Sequence, residues 1–302
     1  MSQIYISQEY FAVMKKISSI TKVKSAVIFK GKDENGQYTG KYYFNIPTKQ
    51  LLINISATEN DIKFDGDQLQ ISSVGEFIKF AESVGYPKCS IEMSREISVR
   101  GRPFDNFVFS GNNKTARLSV SDISAFTADK NHFKICRPRE SDPMRYLAKM
   151  GFTPDSMSAL VKDIKMVTSC LTIALNIVGD KCDILIRGKG NQQVTYTLDE
   201  MCFKVMNDSQ LAVAYGDPKK TRLFPAVMFR LLDGLDSESE VEVRHVKSPM
   251  NDIVTLKGYC SKQGAVIPGS EDGKNSVHSE ILFTLVAVES SSSSIVNVDY
   301  IV

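Results

Sequence analysis

Histidine is scarce in this 302-residue sequence. His132, His245 and His278 are the only three, and none has a carboxylate or a second histidine four residues away at metal-ligand spacing. They read as surface or loop histidines, not as ligands or general bases. The cysteines Cys89, Cys136, Cys170, Cys182, Cys202 and Cys260 form no C-x-x-C pair. Most lie in apolar runs such as the one around Cys170, which points to reduced thiols and against a disulfide frame. No stretch approaches the roughly 20 apolar residues that cross a bilayer. The opening Met1-Ser2-Gln3-Ile4-Tyr5-Ile6 has no basic segment leading into an apolar one, so a secretion signal is not expected. The expected compartment is the cytoplasm. Excess charge of one sign is missing too: 37 Lys and Arg stand against 35 Asp and Glu, a net charge of +2 that excludes a wholesale basic coat.

Catalytic signatures are equally absent. There is no G-x-S-x-G. Gly269-Ser270-Glu271-Asp272-Gly273-Lys274 has one residue too few between its glycines for a phosphate loop and lacks the strand and helix that would frame one. Gly188-Lys189-Gly190 reads as a hairpin turn. Asp65-Gly66-Asp67 lacks the further ligands of a calcium loop and reads as another turn. These readings predict a protein that is not an enzyme and needs no cofactor or metal.

What is present is a globular composition, 42% apolar and 24% charged, with length for two domains of about 150 residues each. Helical spacing appears first over residues 7–20, where Tyr10, Val13, Met14, Ile17 and Ile20 share one side and Ser7 is a plausible N-cap. Strands are predicted over 25–29, 42–46, 51–55, 62–64 and 69–71. A second helix over 73–84 gathers Val74, Phe77, Ile78, Phe80, Ala81 and Val84. Strands return over 90–93, 97–100, 107–110 and 116–120. Residues 130–151, rich in Arg-Pro and Asp-Pro, read as a connector, with one or two helical turns over 144–150.

The order then begins again. A helix capped by Asp155 or Ser156 runs to about 168, with Met157, Leu160, Val161, Ile164 and Val167 inward. Strands are predicted over 171–178, 183–187, 194–198, 202–206 and 211–215. A short helix follows over 224–232 with Pro225 in its first turn, then strands over 240–245, 253–257 and 281–288. Residues 290–294 read as a flexible linker, and 295–302 as a short strand or a docking peptide. First helices begin near residues 7 and 154, second helices near 73 and 223, so one period of about 150 residues relates the halves. That is a duplicated domain, far longer than a solenoid repeat.

Each helix pairs an apolar side with a polar one that carries cations: Lys15, Lys16, Lys79, Lys162, Lys165 and Arg230. Glu9, Glu76, Glu82, Asp163 and Asp233 share those faces. Adjoining turns add Lys22, Lys24, Lys219, Lys220 and Arg222. An ordinary solvated face of mixed charge would look much the same.

The element order, the doubling and the missing catalytic chemistry together resemble the ring-shaped sliding clamps that serve DNA polymerases as processivity factors. The two-domain phage type, which assembles as a homotrimer, is the nearest pattern. The resemblance spans residues 2–120 and 152–289, and is carried best by 10–20, 62–84, 153–178 and 208–235. It implies an α+β DNA-clamp fold of two duplicated domains, 1–129 and 152–289, each with two helices packed on antiparallel sheets. The connector would be 130–151 and the tail 290–302. It implies double-stranded DNA held non-specifically through phosphates by Lys15, Lys16, Lys22, Lys79, Lys162, Lys165, Lys219, Lys220, Arg222 and Arg230. A DNA polymerase and a clamp loader would be its protein partners, with no membrane involved. Ring closure would join edge strands near 116–120 and 194–198 of neighbouring subunits. Two other readings stay open: a monomeric or dimeric processivity subunit that grips DNA without a ring, and a structural assembly protein with duplicated domains. The chain is longer than two-domain clamps, and it is near neutral where clamps are usually acidic.

Overall fold

The computed structural model describes residues 2–21, 25–33, 35–47, 51–97, 103–120, 147–189, 192–206, 209, 211–212, 222–233, 238–247, 252–263 and 280–288. The chain divides into two units. The first is built mainly from Met1–Ile46 and Asn54–Asp129, the second mainly from Lys130–Lys262.

In the first unit β1 (Ser2–Ile6) leads into α1 (Gln8–Thr21). Ser7 ends the strand and caps the helix: its Oγ accepts from the Tyr10 amide at 3.2 Å, supplying one of the bonds that a helix start lacks. Strands β2 (Ala26–Lys32), β3 (Tyr38–Pro47), β4 (Leu51–Thr58), β5 (Ile62–Lys63) and β6 (Gln68–Ile71) follow. Next comes α2 (Val74–Ser83), whose cap Ser73 accepts from the Glu76 amide. The unit continues through β7 (Ser90–Ile97), β8 (Pro103–Gly111) and β9 (Lys114–Val120). Asn112 and Asn113, both at positive φ, turn β8 into β9, as expected of Asn in a tight hairpin. One sheet has the order β5-β1-β7-β8-β9; in the other, β2 lies between β3 and β6.

Helix spacing dictates the core. Tyr10, Met14 and Ile17 from α1 and Phe77, Ile78 and Ala81 from α2 are buried. Phe77 meets Phe107 and Phe109 of β8 edge-on, at 5.0 and 5.2 Å between ring centres, the geometry that aromatic quadrupoles favour.

The second unit repeats this plan. It runs β10 (Ala148–Phe152), α3 (Pro154–Met166), β11 (Thr172–Val178), β12 (Lys181–Arg187), β13 (Gln193–Leu198), β14 (Phe203–Val205), β15 (Arg222–Pro225), α4 (Val227–Leu232), β16 (Ser239–Lys247), β17 (Asp252–Gln263) and β18 (Glu280–Val288). The equivalence extends to hydrogen bonding. β1 pairs with β5 and β7, as β10 pairs with β14 and β16. β2 pairs with β3 and β6, as β11 pairs with β12 and β15. Met157, Leu160, Val161 and Ile164 of α3 are buried, as are Met228, Phe229, Leu231 and Leu232 of α4. At Gly258 of β17 a Cβ would fall 2.6 Å from Met228 Cε and 2.9 Å from Leu232 Cδ1, so the ends of these two side chains of α4 pack directly over the glycine and would have to shift for any larger residue.

Four local expectations are revised. Residues 148–152 form strand β10, not helical turns, because Ala148, Met150 and Phe152 alternate inward and the backbone pairs on both sides. Its counterpart β1 was not expected at all. The α3 cap is Thr153, with Pro154 in the first turn, and not Asp155 or Ser156. Pro225 closes edge strand β15, where a missing N–H is tolerated, and α4 begins two residues later. Of the expected strand over 211–215, the described residues Leu211 and Ala212 are helical. The segments 121–146 and 289–302, and with them the helical start of 144–150, most of the connector and the tail, lie outside the described residues.

Candidate nucleic-acid interface

Within the first unit, α1 and α2 turn their apolar sides to the sheets and leave Lys15 and Lys79 exposed. Lys15 Nζ lies 2.6 Å from Glu82 Oε1 of α2, an ion pair that straps the two helices together. Lys16, one residue on, is only half-exposed. Lys79 makes no ion pair among the described residues. In the second unit Lys162 and Lys165 are exposed on α3. Lys165 Nζ approaches Asp233 Oδ2, just past the end of α4, at 3.9 Å. Each unit thus places a lysine of its first helix beside an acid at the end of its second.

Arg230 lies in the last turn of α4, where a cation complements the helix dipole. It is half-buried, and its Nε has no hydrogen-bond partner among the described residues. Arg222 is in strand β15, half-buried and in register with Leu175, so it is not on a turn. Lys22, Lys24, Lys219 and Lys220 lie outside the described residues. The expected cations therefore fall into two sets, Lys15, Lys16 and Lys79 in one unit and Lys162, Lys165 and Arg230 in the other. The strap between Lys15 and Glu82 carries no sequence signal, because 67 residues separate its ends.

Sheet edges are the second notable feature. β9, seven residues long, ends the five-stranded sheet, and β13, six residues long, ends the sheet β13-β12-β11-β15. The other edge strands among the described residues, β5, β6, β14 and β15, have two to four residues each. Short edges protect a sheet from unwanted pairing; a long open one offers a row of unpaired amides and carbonyls. These two long edges lie where the sequence reading placed them.

Among the described residues no group of three or more His, Cys, Asp or Glu is arranged to hold a metal. No helix there is long and apolar enough to cross a membrane. Cys89, Cys170, Cys182 and Cys202 form no disulfide among the described residues. Burial pushes Cys182 up to about 12, far from a reactive thiolate at neutral pH.

No family model and no curated protein matches the chain. Solved structures do. Proliferating Cellular Nuclear Antigen (PCNA) from Entamoeba histolytica aligns with a TM-score of 0.52 at 9% identity, over 95% of this chain and 98% of its own. The PCNA2–PCNA3 complex from Sulfolobus tokodaii gives 0.51 at 8%, over 96% and 100%. The A. fulgidus PCNA bound to the C-terminal region of FEN-1 gives 0.53 at 10%, over 95% and 97%. At such identities the likeness is one of fold. The chain has the fold of the PCNA sliding clamps, α+β with antiparallel sheets, along nearly its whole length.

Proposed function

We propose that the chain is a DNA sliding clamp that encircles duplex DNA and tethers a polymerase for processive synthesis. The observation that carries this reading is the pair of long sheet edges, β9 in one unit and β13 in the other, neither of which has a further strand beside it among the described residues. Joining β9 of one copy to β13 of the next satisfies both rows of backbone groups, and repetition of that step closes a ring, with three copies as the expected number. Residues 1–129 and 148–289, the latter opening with β10, are then the two clamp domains, 130–147 the connector and 290–302 the tail.

On this reading the duplicated helix pairs face the hole. Lys15, Lys79, Lys162 and Lys165, the exposed cations of the helices, meet phosphates without reading bases, and Lys22, Lys219 and Lys220 are expected to join them. Such contact is weak and salt-sensitive. Topology, not affinity, keeps the ring on DNA, which suits lysines already engaged by Glu82 and Asp233. A grip without a ring would need a stronger cationic face. A loader opens the ring, and replication proteins dock on its outside; the A. fulgidus clamp bound to a FEN-1 tail is a precedent for peptide docking on this fold. The compartment is the cytoplasm, that of an infected host if the chain is viral.

Light scattering tests ring formation: a native mass of three chains is expected, and a single chain at micromolar concentration refutes it. Encirclement has its own assay. Protein loaded on nicked circular DNA should be retained through gel filtration and released when the circle is linearised. Equal retention on both forms rules out a sliding ring.

A further inference from the structure

The hairpin of β2 and β3 has an irregularity that the clamp reading does not use. Lys30 faces Tyr42 and Lys32 faces Tyr38, so the single residue Gly31 opposes the three residues 39–41. The excess is absorbed at Gly40, whose φ of +69° suits glycine. Gly31 is pressed against its partners: a Cβ would fall 2.6 Å from Thr39 Oγ1 and 2.7 Å from Tyr43 Cε2. Beside this bulge opens a cleft of about 80 Å³ lined by Lys30, Gly31, Tyr38, Gly40, Lys41, Tyr42 and Glu59.

Its cations are unevenly engaged. Lys32 Nζ lies 2.9 Å from Asp67 Oδ2 and is neutralised there. Tyr38, 56% exposed, donates its hydroxyl to the same carboxylate. Lys30 Nζ instead lies over two rings, 5.5 Å from the centre of Tyr38 and 5.3 Å from that of Phe64. Ring faces hold an ammonium in place while leaving its hydrogen-bond donors unspent. Lys41 is exposed and makes no ion pair among the described residues. Two lysines, Lys30 and Lys41, therefore line the cleft beside one carboxylate, that of Glu59.

We infer that this cleft is a docking point for an acidic peptide of a partner protein, with one Asp or Glu carboxylate received between Lys30 and Lys41 and the neighbouring peptide laid along exposed Tyr38. The size admits a single carboxylate and excludes a nucleotide. Glu59 on the lining, with Asp67 held by the Tyr38 hydroxyl, weighs against a phosphate dianion or a nucleic-acid backbone but tolerates a monoanion. The bulge is what makes the room: a regular hairpin would set the two strands flush.

The full chain is titrated into a fluorescein-labelled hexapeptide containing four glutamates, with anisotropy read at about 50 mM salt. Saturable binding is expected. It should weaken about tenfold or more in Lys30→Gln/Lys41→Gln, the loss of roughly 1.4 kcal/mol that one charge-assisted contact supplies. Lys88→Gln, an exposed lysine that does not line the cleft, should change it less than twofold, and circular dichroism should confirm that all variants are folded. Competitors identify the class: an unlabelled acidic peptide should displace the probe, whereas inorganic phosphate or a twelve-nucleotide single strand at equal charge should not. Binding unaffected by the double substitution, absence of binding, or displacement by phosphate or the oligonucleotide instead of peptide would each overturn the assignment. None of these outcomes bears on ring formation, which the native mass decides separately.

Discussion

Lys15 and Glu82, 67 residues apart in the chain, meet at 2.6 Å and join the two helices of the first unit by an ion pair. Lys165 and Asp233 repeat the relationship in the second at 3.9 Å. The first pair is well exposed and the second, at the limit of ion-pair distance, has an exposed lysine, so their worth to stability is small, about 0.5 kcal/mol or less. Their effect on charge is larger, because each holds a cation in reserve on the face proposed to meet DNA.

Glu82→Gln should release Lys15. Affinity for a short linear duplex should rise, and the dependence of log affinity on log salt should steepen by about 0.9 as Lys15 neutralises one more phosphate. Thermal stability should shift little. Anisotropy at several salt concentrations checks this, and an unchanged slope would remove Lys15 from the DNA face.

Lys79→Glu together with Lys162→Glu should act in the opposite direction. Both side chains are exposed and make no ion pair among the described residues. Their reversal should leave the melting temperature within about 2 °C and reduce equilibrium binding to short duplex about tenfold at low salt. The native mass should be unaltered. Loss of the assembly in place of the affinity would mean that these lysines serve the interface between subunits.

The buried phenol of Tyr10 offers a test of packing. Its side chain is fully enclosed, its hydroxyl has no hydrogen-bond partner among the described residues, and burial, with Asp61 nearby, pushes its ionisation far above the usual tyrosine range. An enclosed donor without a partner costs about 1–3 kcal/mol. Tyr10→Phe removes that cost while keeping the ring, so it should raise the stability measured by urea unfolding by about 1 kcal/mol.

Alkaline stability should report Cys182. Its native thiol stays protonated up to about 12, because burial disfavours the thiolate, whereas an unfolded thiol ionises near 9.0. Above that lower value the unfolded state binds fewer protons than the native one. Stability is therefore fully present below about pH 9 and declines toward pH 12, by about 1.4 kcal/mol per pH unit for one proton. Cys89, Cys170 and Cys202 shift in the same direction. The contrast with Cys182→Val isolates this residue, and the variant should lose less stability between pH 8 and 10 than the parent.

Most of the architecture could be read from spacing alone. Ser7 and Ser73 stand where caps are needed, and Tyr10, Val13, Met14 and Ile17 mark a helix face without help from any neighbour. The strands that were missed or misread owe their form to pairing. In β1 and β10 five residues alternate too briefly to signal a strand, yet each is pinned on both sides by partners far along the chain. Phe224-Pro225 extended an apolar helical pattern backwards, and only the ladder to Thr172 and Ile173 makes it β. At the candidate site, residue type and face were legible, but engagement was not. Lys15, Lys79 and Lys162 look alike in sequence, and only the first meets an acid from another helix. The cleft at Gly31 was invisible, because a bulge is a mismatch between two strands and neither strand shows it alone.

The two long edges are not counterparts in the duplicated plan: among the described strands β9 ends the sheet that contains β1, while β13 ends the sheet that contains β11, the equivalent of β2. An assembly that joins them is head-to-tail and so has polarity. Its two rims present different loops, and a protein recognising one of them arrives facing a single way along the duplex. A handed orientation of enzymes relative to the primer end would thus follow from which strands the duplication left uncovered.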